Sequence, residues 1–111
     1  MSTIRQNKVS RLVQREMGDL FQKEGKHLFT GGLVTVTSVE MSPDLSIAKI
    51  FMTFLNLKPQ ETIEMLMGKR SEIRNYLSPR VKNQLRIVPD LRFHIDDSYD
   101  AIQRIEQLLK K

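Results

Sequence analysis

VTVTSVEMSPDLSIAKIFMTFL, Val34 to Leu55, reads as two β-strands folded on each other around a short Met41-Ser-Pro-Asp-Leu45 connection. Val34, Thr35, Val36, Thr37 and Val39 are residue types that suit a pleated, half-buried surface. After the turn, Ala48, Ile50, Met52 and Phe54 fall on one face at period two, with Lys49 and Thr53 on the other. Pro43 fixes φ for a turn, and Ser42 and Asp44 are placed to bond nearby backbone groups. A hairpin alone is barely stable in water, so one face of these strands needs a layer of helices.

The flanking sequence supplies that layer. Val9, Leu12, Val13, Met17, Leu20 and Phe21 recur at helical spacing and predict a first helix over about Thr3 to Gln22. Gly25 to Gly32, GKHLFTGG, is expected to be a loop with His27 exposed; it lacks the Gly-Lys-Ser/Thr of a phosphate cradle. Beyond the hairpin, Pro59 suits the first turn of a second helix, buried through Ile63, Leu66 and Met67. Gly68-Lys69-Arg70-Ser71 interrupts that pattern, which resumes with Ile73, Tyr76 and Leu77, so two short helices meet at a bend. Pro79 is expected to disturb the second one, with Ser78 placed to cap a fresh turn and Val81 and Leu85 in a further short helix.

Leu91, Phe93 and Ile95 alternate with Arg92 and His94 in a third strand introduced by Pro89. Asp96-Asp97-Ser98 then offers caps for a last helix with Ala101, Ile102, Ile105, Leu108 and Leu109 on its apolar face. The predicted order is helix, strand, strand, bent helix pair, strand, helix. It gives an α+β architecture: a three-stranded sheet with helices on one face, in a single domain spanning residues 1–111.

Composition bounds the function. Forty per cent apolar and 28 per cent charged residues make a soluble globular chain, with no apolar run of the roughly 20 residues a membrane span needs. The opening MSTIRQNKVSR carries no apolar secretory segment and is expected to belong to the fold. The absence of cysteine excludes disulfides, thiolate metal sites and thiol catalysis, and fits a reducing cytosol. Eighteen Lys and Arg against thirteen Asp and Glu leave +5, which suits a polyanionic partner.

That charge is patterned. At 100° per residue, Lys8, Arg11 and Arg15 fall opposite the apolar stripe of the first helix, with Arg5 at the edge and Glu16 and Asp19 at the flank. A face of one sign makes a poor salt-bridge network and a better phosphate-facing surface. Lys69, Arg70 and Arg74 form a second basic group at the bend, with Arg80, Lys82 and Arg86 following. Aromatic stacking on bases is expected to be minor: there is no Trp, Phe51, Phe54 and Phe93 read as core or sheet-surface residues, and Tyr76 and Tyr99 stand apart.

Specific words in the chain are similar to those of ribosome-binding factor A, a family of bacterial assembly factors of the small ribosomal subunit. They are Val34-Thr35-Val36-Thr37, Val39-Glu40-Met41-Ser42-Pro43-Asp44-Leu45, Ala48-Lys49-Ile50, Ile73-Arg74, Leu85-Arg86-Ile87-Val88-Pro89-Asp90-Leu91-Arg92-Phe93 and Asp96-Asp97-Ser98. They fall in the family's order over roughly residues 5 to 109. The resemblance implies a type II KH-like domain that binds 16S ribosomal RNA in the free or immature 30S subunit, assists its maturation without catalysis, and is prominent in cold adaptation. It implies a cytoplasmic protein with no cofactor and no metal. Relatives bend the paired helices at an Ala-x-Gly; here the corresponding stretch is Lys69-Arg70-Ser71.

The residues expected to contact RNA are Arg5, Lys8, Arg11, Arg15, Lys69, Arg70, Arg74 and Arg80. Because A-form RNA presents phosphates and 2′-hydroxyls more readily than base edges, shape should outweigh sequence in recognition. The protein is expected to act as a monomer. A competing reading is a protein-binding or self-associating module that pairs through an open sheet edge. An enzyme would have to use His94, Asp96 and Asp97, the one obvious acid-base cluster, and two distant histidines make no metal site.

Overall fold

The computed structural model describes residues 3–98 together with 106 and 107. Helix α1 (Ile4–Leu28) leads into strands β1 (Leu33–Met41) and β2 (Ile47–Leu55), then helices α2 (Pro59–Gly68) and α3 (Arg70–Val81), then β3 (Asp90–Ile95). The sheet has β2 at its centre, antiparallel to β1 and parallel to β3. A parallel neighbour requires a crossover, and α2 and α3 are that crossover. The apolar face of the predicted last helix, Ala101 to Leu109, lies outside the described residues; Glu106 and Gln107 are helical.

The predicted hairpin is present, with one feature that simple alternation does not announce. Val36 pairs with Met52 but Ser38 pairs with Phe51, so Thr37 is an extra residue and β1 bulges there. The bulge shifts parity. Val34 before it and Val39 and Met41 after it therefore all face the core opposite Ala48, Ile50, Met52 and Phe54. Leu91 and Phe93 of β3 continue that face, and Val9, Val13, Met17, Leu66, Ile73, Leu77 and Val81 of the three helices close over it. On the other face Phe51 stacks on His94, with ring centroids 5.4 Å apart.

The turn is built from its own polar groups. Leu45 N–H closes on the Ser42 carbonyl at 2.9 Å, and the Ser42 hydroxyl accepts from the amides of Ser46 and Ile47 at 3.1 and 3.0 Å. Leu45 sits at φ 63°, a conformation unfavourable for a branched residue, while its side chain packs partly buried against the core. The turn also receives the third strand, since Asp90 N–H donates to the Ser46 carbonyl at 2.8 Å.

Three expectations need correction. Helix α1 does not stop near Gln22 but runs to Leu28, so His27 lies exposed in its last turn and not in a loop. The added turns bring the Phe29 ring edge-on to Phe21 at 5.2 Å, burying both. Pro79 does not break α3: the proline lies two residues from the helix end, and Leu77 and Val81 on either side are both buried. Leu85 is buried too, but in the connection after the helix and not within one. The bend between α2 and α3 takes a single residue, Lys69, at φ −105° and ψ 14°. No positive φ is used there, so the geometry does not call for glycine.

Candidate nucleic-acid interface

Helix α1 is tethered to β1 at two points along its first half. Thr3 and Gln6 cap each other reciprocally, and the buried Gln6 amide also donates to the Met41 carbonyl at 3.1 Å. Gln14 donates to the Thr37 carbonyl at 3.2 Å, at the bulge of β1. With Val9, Val13 and Met17 facing the sheet, the same helical geometry directs Lys8, Arg11 and Arg15 outward, all exposed. Neither Lys8 nor Arg11 forms an ion pair among the described residues. Arg15 stands 3.8 Å from Glu16, and its side chain is 69% exposed. A contact this long to so exposed a cation is weak.

Glu16 is turned the other way. Its side chain is 15% exposed and its carboxylate lies 3.5 Å from Arg80 of α3, which draws this acid away from the cluster. Arg80 is engaged three times over: it donates to the Tyr76 carbonyl at 2.8 Å, lies 3.7 Å above the Tyr76 ring, and pairs with Glu16. Arg5 reaches the Gln84 carbonyl at 3.4 Å, a long contact, and brings the connection after α3 beside α1. Between them runs a groove of about 660 Å³ lined by Ile4, Asn7, Lys8, Arg11, Leu12, Arg15 and Gln84.

The residues at the bend form a separate group with internal partners. Lys69 is 3.9 Å from Glu72. Arg70 donates to the Met67 carbonyl at 3.2 Å and stands 3.5 Å from Asp90. Arg92 donates to Asp90 at 2.7 Å, and this bond, with Arg70 nearby, holds the Asp90 carboxyl below its ordinary range against the opposing effect of desolvation. Arg74 donates to the Val88 carbonyl at 3.0 Å, while its buried Nε has no hydrogen-bond partner among the described residues. The eight predicted residues thus divide. Arg5, Lys8, Arg11 and Arg15 share one exposed helical face, Lys69, Arg70 and Arg74 surround the bend, and Arg80 joins α3 to α1.

Asn7 and Gln84 are not among the expected residues. Helical periodicity places Asn7 beside Lys8 and Arg11, so its position is readable in the sequence; nothing local to Gln84 signals its approach to α1. His94 stacks on Phe51, and the Asp96 carboxylate accepts from the Thr37 hydroxyl. Among the described residues, no three His, Cys, Asp or Glu side chains gather to hold a metal ion. No helix among them is long and apolar enough to cross a membrane.

The family model described as ribosome-binding factor A matches residues 5–109. The ribosome-binding factor A of Cytophaga hutchinsonii is 36% identical over 112 residues, covering 100% of this chain and 84% of that protein. That of Chlorobaculum tepidum is 41% identical over 110 residues, covering 97% and 90%. Among solved structures, the crystal structure of ribosome-binding factor A from Thermus thermophilus superposes with a TM-score of 0.68 at 20% identity, over 81% of this chain and 94% of that one. A homology model of the Thermus thermophilus factor, fitted into a cryo-EM map of its complex with the 30S subunit, superposes at 0.60 and 24% identity, over 75% and 86%.

Proposed function

This chain belongs to the ribosome-binding factor A family, and on that ground we propose that it binds the small ribosomal subunit and assists its assembly. The ligand is 16S ribosomal RNA of the free or immature 30S particle. The protein acts as a cytoplasmic, single-domain monomer, without bond chemistry, and its work is most needed in the cold. The observation that carries the RNA reading is the state of the α1 cations. Lys8 and Arg11 meet no carboxylate among the described residues, and the acid closest in sequence to Arg15 is half claimed by Arg80. A row of exposed, uncompensated cations on a rigid helix is suited to displacing counterions from a phosphate backbone.

At the β1 edge of the sheet, the edge-pairing alternative is weakened by α1 itself. Gln6 and Gln14 occupy the Met41 and Thr37 carbonyls of the outer strand β1, which removes acceptors that an added strand would use. Lys69, Arg70, Arg74 and Arg80 each already have a partner within the protein, so they add less to phosphate binding than the α1 cations do.

The test is co-sedimentation with purified 30S particles. A variant carrying Lys8→Glu, Arg11→Glu and Arg15→Glu should keep its circular dichroism spectrum and lose the particle. Retention at wild-type affinity would refute the assigned surface.

A further inference from the structure

The groove beside α1 is more than a row of charges. Half-buried Leu12 lies at its base, and Ile4, which is 88% exposed, offers an apolar surface at its edge. Its walls carry the side-chain amides of Asn7 and Gln84, neither of which makes a hydrogen bond to a described residue. Lys8, Arg11 and Arg15 form the rim. Phosphates need only the rim. Two apolar side chains beside two unengaged amides suit a planar group with a mixed donor-acceptor edge. The free volume of about 660 Å³ leaves room for such a ring with its sugar and phosphate.

We infer that this groove, between α1 and the connection that follows α3, is a subsite for one unpaired nucleotide, whose base lies over Leu12 and Ile4 and whose edge is read by Asn7 and Gln84. The inference rests on the RNA reading above and sharpens it. Bases in an A-form duplex are stacked and their deep groove is closed to side chains, whereas an unpaired base can turn outward and be bonded on its edge. A carboxamide holds a donor and an acceptor side by side in one plane, and paired with a base edge it gives discrimination. The rim cations then hold the flanking phosphates, so charge sets the affinity and the amides set the preference for an unpaired base.

Fluorescence anisotropy with three labelled RNAs of equal length tests this: an unstructured strand, the same strand with abasic positions throughout, and a duplex. The wild-type protein should bind the base-bearing strand about tenfold more tightly than the abasic one. Asn7→Ala with Gln84→Ala should abolish that ratio while leaving abasic and duplex binding, and their salt dependence, unchanged. Both side chains lie on the surface, and the thermal melt of the double variant should match wild type. Equal binding of base-bearing and abasic strands by the wild type would overturn the subsite and leave the electrostatic reading standing. So would a double variant that keeps the ratio. Failure to bind any of the three would remove both.

Discussion

Asp44 shows how much one side chain does in the turn. Its carboxylate accepts from the hydroxyls of Ser42 and Ser46, both at 2.7 Å, and from the Ser46 amide at 3.1 Å. These bonds, led by the Ser46 hydroxyl, favour the charged form and lower its pKa from 3.8 to about 2. A group whose folded pKa is depressed stabilises the fold above its unfolded pKa, and that contribution is lost as pH falls toward the folded value. The stability difference between wild type and Asp44→Asn should therefore be constant above about pH 5 and shrink between about pH 4 and 2. Urea unfolding at stepped pH measures it, and a difference independent of pH would show that the turn does not depend on the charge. Ser42-Pro43-Asp44 was legible as a turn because those side chains act locally. The left-handed Leu45 was not, since no local preference favours it; its side chain packs against the core, which a glycine could not do.

At the scale of elements, periodicity fixed identity better than ends. The stripe of α1, the alternation of β2 and β3, and the bend before α3 all follow from apolar spacing within a window. The bulge at Thr37 depends on pairing with β2, and the extension of α1 past Gln22 on an aromatic contact between Phe21 and Phe29 that apolar spacing alone does not announce. Pro79 is the sharpest case. It denies the Asn75 carbonyl its helical N–H, yet α3 continues because burying Leu77 and Val81 outweighs one missing bond. Replacing Pro79 with Ala should restore that bond at an exposed position and stabilise the protein by about 1 kcal/mol, less than the full proline penalty because the unfolded chain also gains freedom. Differential scanning calorimetry should show a Tm higher by a few degrees. A lower Tm would mean that the ring itself supports the helix end.

Across the whole molecule, the cations are of two kinds, and net charge conceals the difference. Arg70, Arg74 and Arg80 bind carbonyls or carboxylates that hold α3 to its neighbours, whereas Lys8 and Arg11 have no such duty. Sequence could rank these residues as basic but could not sort them, because their partners Val88, Asp90 and Glu16 come from other elements. Sorting them makes opposite demands on two measurements. Each phosphate neutralised contributes about −0.7 to −0.9 to the slope of log affinity against log salt, so Arg5, Lys8, Arg11 and Arg15 together should give a slope of roughly −3 for binding to RNA. Arg11→Ala should reduce that slope by about one step while shifting unfolding stability by less than about 0.5 kcal/mol. Arg74→Ala should do the reverse, lowering stability by about 1–3 kcal/mol through the lost bond to Val88 and leaving the slope nearly unchanged. If both variants altered the slope equally, the bend would belong to the same phosphate track as α1, and the bound RNA would have to extend from one basic group to the other.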